Sequence, residues 1–274
     1  MKINHIRFKL ITILGGIIMF RNIIVRRPSH SLVNGITSAP ELGKPDFELA
    51  LKQHDAYIEA LKSCGVEVTV LDADESFPDS CFVEDVAVVT KNCAIITNPG
   101  ADTRKGEEKE MIDVLKRFYS EDKIEYIKNP GTLEGGDVMM VEDHFYIGLS
   151  ARTNKEGAEQ FIAALEKHGL SGSVVPLKEV LHLKTGLAYL ENNNLLVEGE
   201  FVVNPVFDKF NKIIIDKNES YSANCIWVND RVLVPYGYEK TKKAIENAGY
   251  EVVLVDTSEY RKVDGGLSCL SLRF

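Results

Sequence analysis

The sequence predicts an α/β fold in which five ββαβ units close into a propeller with pseudo-five-fold symmetry. Three observations support this prediction. Pairs of short apolar strands joined by a polar turn recur every ~45 residues, a period typical of repeat architectures. A helix pattern and a further strand usually follow each pair. Residues 269–274 form a lone strand pattern at the C-terminus, and residues 23–27 supply its missing partner, so that the first and last strands would lock the ring. An open α/β sheet is the alternative that the alternation alone favours.

The individual elements follow from hydrophobic periodicity. The paired strands are short and rich in Val and Ile, as half-buried strands are. The four complete pairs span residues 85–97, 137–148, 185–197 and 224–234. Amphipathic helix patterns cover residues 47–62, 105–119, 155–167 and 240–247. Glycines stop three of these helix patterns, which is a usual signal for a helix end. We expect the first strand of each unit to line a central channel.

Composition and charge limit the classes of protein that the chain can represent. Of its 274 residues 45% are hydrophobic, which is enough for a well-buried core. The formal net charge of −9 and the pI of about 5.3 argue against a nucleic-acid partner, because phosphate binding needs clustered Lys and Arg. A negative balance suits a small cationic substrate weakly, although solubility alone explains it as well.

The cysteines indicate a reduced, cytoplasmic protein. Their number, five, is odd, and because no C-x-x-C pair occurs neither a zinc ribbon nor a thioredoxin-like motif is predicted. The sequence offers no convincing metal-ligand spacing, so we expect neither a metal ion nor another cofactor. The oligomeric state stays open, with a homodimer among the options.

Residues 1–18 are interpreted as an extension that precedes a single catalytic domain over residues 19–274. A basic start followed by an apolar run over residues 10–20 resembles a signal peptide. The apolar run is too short to span a bilayer comfortably, and no A-x-A-like cleavage site follows it, so no membrane association is expected. Met19 would make a natural start, which makes residues 1–18 a start-site extension; a weak membrane-contacting tail is the alternative.

Polar side chains gather at the start of the first strand in every unit. A closed ring would bring them to one point, and such a convergence is typical of an active site. They are Glu84 and Asp85, Glu134 and Asp137, His182, Asn224, and Cys269.

Cys269 and His182 are the candidate nucleophile and proton-transfer group. Glycines shortly before Cys269 allow a ligand to approach the backbone closely; a buried structural thiol is the alternative. His182 lies in an apolar run, where a satisfied core histidine is common, yet a nucleophilic thiol needs a proton acceptor and its leaving amine needs a donor. Glu134, which precedes two glycines, could orient His182, or it is a solvated acid in a capped turn.

The acidic segment over residues 77–85 offers carboxylates for a cation. Asp79, Glu84 and Asp85 precede an apolar strand, where acids are costly to bury unless they are paired. A planar guanidinium matches carboxylates through paired hydrogen bonds; loop acids without a ligand are the alternative. Acids near Cys269 would raise the pKa of its thiol, so we expect a cationic substrate to help ionise it.

Four motifs in order closely resemble the dimethylarginine dimethylaminohydrolase family. They are Phe-Pro-Asp-Ser-x-Phe-Val-Glu-Asp, Leu-Glu-Gly-Gly-Asp, Leu-His-Leu-Lys-Thr-Gly and the C-terminal Ser-Cys. The resemblance runs from about residue 21 to residue 274. It implies the five-unit fold known as the pentein fold. It also implies hydrolysis of a small guanidino substrate, methylated arginine, to citrulline and methylamine or dimethylamine through a covalent thiouronium on Cys269.

The resemblance implies residue roles as well. Cys269 would be the nucleophile, His182 the general acid and base, and Glu134 its partner. Glu84 and Asp85 would hold the guanidinium. The remaining implied substrate contacts are Asp79 with the backbone of Leu32 and Val263 at the amino-acid end, Arg104 and Arg152 at the carboxylate, and Ser268 beside the nucleophile.

One position departs from other members of the guanidine-modifying superfamily. Arginine and agmatine deiminases, peptidylarginine deiminases and amidinotransferases resemble one another in a His-x-Asp motif, whereas here Lys184 stands two residues after His182. A site without that carboxylate suits N-methyl groups, and it equally suits citrulline or another ureido compound. A citrulline hydrolase, an arginine deiminase-type enzyme and a non-catalytic arginine-binding regulator therefore remain alternatives.

Overall fold

Five three-stranded sheets make up the part of the chain that the structure, a computed structural model, describes, namely residues 19–274. Because the strands are short and rich in β-branched residues, each sheet has a small apolar face that must pack against its neighbours. In chain order the strands are β1 (Asn22–Arg26), β2 (Glu67–Leu71), β3 (Ala87–Val89), β4 (Ala94–Ile96), β5 (Ile124–Tyr126), β6 (Val138–Val141), β7 (His144–Leu149), β8 (Ser171–Pro176), β9 (Leu187–Tyr189), β10 (Asn194–Val197), β11 (Asn211–Ile214), β12 (Ile226–Val228), β13 (Arg231–Pro235), β14 (Glu251–Val255) and β15 (Leu272–Arg273).

Every sheet repeats one pairing pattern. The first two strands of a unit pair antiparallel, and the second and third pair parallel, as in β3-β4-β5 and β6-β7-β8. The sheets β9-β10-β11 and β12-β13-β14 follow the same order. The repeat of ββαβ units inferred from the sequence is therefore confirmed.

The two ends of the described chain complete the fifth sheet. β1 pairs antiparallel with β15, so that Ile24 lies opposite Leu272, and it pairs parallel with β2. The backbone N–H groups of Arg21 and Asn22 both donate to the carbonyl of Phe274, at 2.9 and 2.7 Å. The predicted closure of the ring by the first and last strands is confirmed, and the open sheet is excluded.

Four helices lie close to their predicted spans, and a fifth, short helix was not predicted. They are α1 (Phe47–Ser63), α2 (Glu108–Leu115), α3 (Lys155–Lys167), α4 (Glu239–Asn247) and α5 (Ser258–Arg261). The prediction for α2 was too long, because tighter turns over Asp102–Arg104 and residues 116–118 flank it. In the fourth unit, two 3₁₀ turns at Gly199–Phe201 and Pro205–Phe207 stand between β10 and β11 in place of a helix.

The first strands surround the middle of the ring and leave a cavity at each end. All five of them contribute residues to the lining of the larger cavity, so the predicted central channel is present. The smaller cavity lies at the starts of these strands, where the polar residues were expected to converge. From outside the ring, α1 supports this end: the Tyr57 hydroxyl, fully buried, donates to the Leu267 carbonyl at 2.9 Å and lies 2.7 Å from Ser271 Oγ. The loop that carries Cys269 is thereby held at both of its ends.

Two expectations concern the N-terminal segment. The proposed extension, residues 1–18, lies outside the described residues. Between Met19 and Phe274, no helix is both long enough and apolar enough to cross a lipid bilayer.

Candidate active site

Most of the predicted site residues line one cavity. The predicted residues in its wall are Asp79, Asp85, Arg104, Glu134, Arg152, His182, Val263 and Cys269. The lining is completed by Gly265, one of the glycines before Cys269, and by four residues that the sequence did not single out, namely Ile36, Phe82, Leu181 and Asp264.

His182 and Glu134 are in direct contact. Nε2 of the imidazole lies 2.8 Å from Oε2 of Glu134, whose side chain is 2% exposed. The other Glu134 oxygen accepts a hydrogen bond from the backbone N–H of Ala101 at 3.1 Å. Burial of the imidazole lowers its pKa, but the Glu134 hydrogen bond and the charges of Asp85 and Asp137 outweigh this, and the pKa of His182 is raised to about 9. The imidazole is therefore protonated at neutral pH.

Asp137 fixes the segment that carries His182. This fully buried carboxylate accepts hydrogen bonds from the hydroxyls of Ser150 and Thr153, both at 2.6 Å, and from the backbone N–H of Leu183 at 3.0 Å. The residue next to His182 is thus tied to the neighbouring unit. The sequence placed Asp137 at the point of convergence without assigning it this structural role.

Gly136 leaves the space that the imidazole needs. A Cβ at this position would lie 2.9 Å from Nδ1 of His182 and 3.0 Å from Oδ1 of Asp85. Its backbone N–H also donates to the same Asp85 oxygen at 2.9 Å. The Glu-Gly-Gly-Asp motif therefore combines the partner of His182 with the backbone that holds Asp85.

Cys269 is a buried thiol that is neutral in the absence of a ligand. Burial, together with the nearby charges of Glu84 and Asp85, raises the pKa of Cys269 to about 12. This confirms the expectation, drawn from the sequence, that acids near this cysteine disfavour its thiolate. The preceding Gly265 is packed so closely that a Cβ there would lie 2.3 Å from the Phe82 ring.

Asp85 and Arg104 form a buried ion pair at the side of the cavity. Arg104 Nη1 lies 2.6 Å from Asp85 Oδ2, and its Nε and Nη2 atoms donate to the two oxygens of Glu107 at 2.8 and 2.6 Å. Nη2 also donates to the carbonyl of Phe82 at 3.0 Å. All three guanidinium nitrogens are thus engaged by protein groups, and the main contact of Arg104 is with carboxylates of its own chain. Its predicted role toward a substrate carboxylate stays a prediction.

Asp79 lies where the loop after β1 meets the cavity. Burial raises the pKa of Asp79 to about 6, although Arg104 and a hydrogen bond from the backbone N–H of Ile36 oppose this shift. Gly35 brings the implied contacts together: a Cβ there would lie 3.0 to 3.1 Å from Asp79 Oδ1, the Leu32 carbonyl and Val263 Cγ1. Leu32 itself is fully buried outside the cavity wall, and its carbonyl accepts from Gly35 N–H at 2.9 Å.

Glu84 and Ser268 do not face this cavity. They line the larger cavity at the other end of the ring. Glu84 is paired there with Lys184 and with Arg273, whose Nη2 lies 3.2 Å away, and it accepts the Ser268 hydroxyl at 2.8 Å. This geometry does not support the prediction that the Glu84 carboxylate holds a guanidinium, and that role stays a prediction. Neighbouring residues on a 3₁₀ turn point about 120° apart, so Glu84 and Asp85 face opposite ends of the ring.

Lys184 is turned away from the cavity in the same direction. Its ammonium group pairs with Glu84, so the position two residues after His182 puts neither a carboxylate nor a cation beside the imidazole. Asp85, Glu134 and His182 each offer a ligand atom within 4.8 Å of the others, a spacing that a metal ion could use. The Asp85 carboxylate already bonds to Arg104 and to Gly136 N–H, and Glu134 and His182 bond to each other.

A ring of five ββαβ units with a thiol, an imidazolium and carboxylates around its central cavity defines a cysteine-dependent amidine hydrolase. A sequence model of the family described as N,N dimethylarginine dimethylhydrolase, eukaryotic, matches residues 43–203. The N(G),N(G)-dimethylarginine dimethylaminohydrolase of Pseudomonas aeruginosa is 62% identical over 256 residues, which are 93% of this chain and 100% of that one. The Streptomyces coelicolor protein of the same name is 37% identical over 250 residues, 91% and 95% of the two chains. The chain belongs to the dimethylarginine dimethylaminohydrolase family.

Solved structures agree with this assignment. The Pseudomonas aeruginosa enzyme, solved as a cysteine-to-serine mutant complexed with citrulline, superposes with a TM-score of 0.92 at 62% identity, covering 93% of this chain and 100% of that one. The N-terminal domain of ArgZ, an arginine dihydrolase from cyanobacteria, has a TM-score of 0.79 at 19% identity, covering 92% and 96%. The second match supports the fold alone.

Proposed function

We propose that this protein hydrolyses Nω-methylated arginine, asymmetric dimethylarginine or monomethylarginine, to citrulline and the corresponding methylamine, with Cys269 as nucleophile. The observation that carries the proposal is the meeting of Cys269, the His182–Glu134 pair and Asp85 in one cavity. Dimethylarginine is the substrate in the name of the 62% identical relative, and citrulline is the ligand in its solved complex.

Binding would begin with charge matching. The guanidinium of the substrate is a cation, and the cavity presents the carboxylates of Asp85 and Glu134. Paired hydrogen bonds between guanidinium and carboxylate fix both the plane and the position of the ligand. Half-buried Arg152 in the cavity wall is the group that we assign to the substrate carboxylate, since the guanidinium nitrogens of Arg104 are engaged by Asp85 and Glu107. Asp79, which lies in the cavity wall with Val263, is the group that we assign to the α-amino group of the substrate.

The first chemical step forms a covalent intermediate. The bound cation favours ionisation of Cys269, whose proton leaves to solvent, and the thiolate attacks the guanidino carbon. As the carbon–nitrogen bond to the methylated nitrogen breaks, the His182 imidazolium donates its proton to that nitrogen, and neutral dimethylamine departs. A cationic thiouronium remains on Cys269, and His182 is left neutral.

The second step hydrolyses this intermediate. Neutral His182 takes a proton from water, and the resulting hydroxide attacks the same carbon. The carbon–sulfur bond then breaks with its electron pair on sulfur, which restores the thiolate. The protonated urea that forms loses one proton to give citrulline, and dimethylamine takes up one proton in solution, so charge and atoms balance.

Three further expectations complete the proposal. We propose that residues 19–274 act as a single catalytic domain, because the first and last strands of this range complete one sheet. All five cysteines are free thiols, which supports a reducing, cytoplasmic compartment. Neither a nucleic-acid partner nor a membrane surface is expected for a chain of net charge −9.

Turnover of asymmetric dimethylarginine by purified protein tests the function. We expect citrulline and dimethylamine in equal amounts, no product from Cys269→Ser, and normal product from Cys64→Ser, a matched control at a thiol of similar burial. Ammonia from arginine would instead assign a deiminase, and ammonia from citrulline a ureido hydrolase. Binding of arginine with no turnover of any of the three compounds would assign the regulator.

A further inference from the structure

Asn224 is the polar residue that the unit β12-β13-β14 brings to the point of convergence, and the reaction described above does not use it. It follows the 3₁₀ turn Lys217–Ala223 and precedes β12. Its side chain is 9% exposed. A buried amide must have its hydrogen bonds satisfied, so the partners of Asn224 indicate what it does.

The orientation of this amide is determined by its neighbour. Oδ1 accepts a hydrogen bond from the backbone N–H of Ser268 at 2.8 Å. Since an N–H can only donate, the oxygen of the amide must face Ser268 and the nitrogen must face the other way. Nδ2 then lies 4.0 Å from Sγ of Cys269, at the outer limit of a hydrogen bond to sulfur.

Gly266 holds the amide in that orientation from one side. A Cβ at Gly266 would lie 2.5 Å from Cγ of Asn224, 2.7 Å from Oδ1 and 2.8 Å from Nδ2. The glycine backbone therefore packs directly against the face of the amide. The same glycine supplies a backbone hydrogen bond that lowers the pKa of Cys269.

We propose that Asn224 is a positioning residue for the nucleophile, whose Nδ2–H group donates to the Cys269 sulfur once the thiolate forms. The thiolate lies near the carboxylates of Glu84 and Asp85, which disfavour its negative charge. A neutral donor held rigidly at the sulfur would stabilise the thiolate against them. In the thiol state, the contact is long; a thiolate is a stronger acceptor and would shorten it. Asn224 and Gly266 N–H together would hold the sulfur from two directions.

Other groups around the sulfur must be distinguished from Asn224 in a test. The charged ones are Glu84, Asp85 and Lys184, together with the His182 imidazolium in the same cavity wall as Cys269. The groups that stay neutral near pH 8 because burial raises their pKa are Tyr57, Cys81 and Tyr221. A neutral substitution at Asn224 leaves all of them in place, so a change in thiolate reactivity in such a variant reports the amide itself.

The test compares Asn224→Asp with wild-type protein and with Asn218→Asp, the same change at an exposed site in the same unit. Asp keeps an acceptor for Ser268 N–H and removes the donor that faces sulfur, but it also adds a negative charge beside the thiolate. The neutral Asn224→Ala variant separates the two effects: a slow Asn224→Asp beside a wild-type-like Asn224→Ala would show that the added charge is the cause and would overturn the proposal. The measured quantity is the rate at which iodoacetamide alkylates Cys269, followed by mass spectrometry at several pH values between about 7 and 9. We expect this rate to fall roughly 10-fold or more. The kcat for dimethylarginine should fall with it while KM changes little.

The inference rests on the proposed role of Cys269, and its failure differs from failure of the proposed function. Absence of dimethylamine release by wild-type protein would remove the function. Wild-type rates of alkylation and an unchanged kcat in a folded Asn224→Asp protein would overturn the role of Asn224 alone. Asn224→Ala, which removes acceptor and donor together, should also slow alkylation. If Asn224→Ala is slow while Asn224→Asp reacts like wild type, the proposal is overturned as well, because the contact with Ser268 would then be the relevant one.

Discussion

Nε2 of His182 lies 2.8 Å from Oε2 of Glu134, a carboxylate that the ring almost completely buries. This contact keeps a buried imidazole in its charged form, against the penalty of burial. A protonated His182 can donate to a leaving amine but cannot take the thiol proton of Cys269. His182 therefore acts first as an acid. Ionisation of the Cys269 thiol then depends on the charge of the bound cation.

Glu134→Gln should remove the group that raises the pKa of His182. We expect the imidazole to be neutral at pH 8 in this variant, and kcat to fall on the order of 10²-fold, the usual contribution of a general acid. The alkaline limb of the kcat profile, set by a pKa of about 9 in wild-type protein, should move to lower pH. Steady-state kinetics against pH would show it. Glu166→Gln, on an exposed helix face, is the control, and an alkaline limb common to both variants would contradict the role of Glu134.

The same pair predicts how stability varies with pH. The folded pKa of His182, about 9, lies above its ordinary value of 6.5, so the stabilisation is complete below about pH 6.5 and is lost as pH rises through about 9. Between those limits, wild-type protein should lose up to roughly 3 kcal/mol relative to a variant in which neither side chain titrates. Denaturant unfolding of wild-type protein and Glu134→Gln/His182→Asn at pH 6 and pH 9.5 measures this difference. Parallel curves for the two proteins would contradict the linkage.

Ionisation of Cys269 should depend on the charge of the ligand. With a pKa of about 12, the thiol is neutral at pH 8 in the free protein. A cationic guanidine that cannot be hydrolysed should offset the acids around it and produce the ultraviolet absorbance of a thiolate. Neutral citrulline should produce none, and Cys269→Ser should give no signal with either ligand. A signal of equal size from citrulline would show that charge is not the cause.

The repeat order of short strands was sufficient to predict the ring, because closure follows from the pairing of the two chain ends. A further strand was expected after each pair, but the bounds of the outer strands β5, β8 and β11 were not predicted. Their sequences mix exposed and half-buried positions without alternation, since they lie at the edge of each sheet. The missing helix of the fourth unit has the same origin: residues 198–210 carry no helical period, and tertiary packing folds them as tight turns.

The residues of the site could be predicted as a set, but the direction of each side chain could not. Glu84 and Asp85 are adjacent in a motif, yet only Asp85 faces the cavity, because a 3₁₀ turn separates their directions. Glu84 pairs with Lys184 and Arg273, which are distant from it in sequence, so no local pattern predicts these contacts. The role of Arg104 toward the substrate stays a prediction, whereas its ion pair with Glu107, three residues later, was not predicted although that spacing allows it.

Arg104 and Arg152 should respond differently to substitution, and this contrast assigns the substrate carboxylate. Arg104→Met leaves Asp85 and Glu107 as buried, uncompensated charges, which costs on the order of 3–5 kcal/mol of folding free energy. Arg152 is half-buried at the cavity wall. We expect Arg152→Ala to leave the unfolding free energy within about 1 kcal/mol of wild type and to raise KM roughly 10-fold, since a charge-assisted hydrogen bond to the substrate is lost.

The two readouts must be taken on the same proteins. Denaturant unfolding reports the internal ion pair, and KM for dimethylarginine beside KM for a methylated guanidine without a carboxylate reports the substrate contact. Loss of the Arg152 contact should raise KM only for the ligand that carries the carboxylate. Arg117→Ala, at an exposed position, should change neither quantity. A stable Arg104→Met protein with a selective rise in KM would reverse the assignment, because it would show that Arg104, despite its pairing with Asp85 and Glu107, is the arginine that binds the substrate carboxylate.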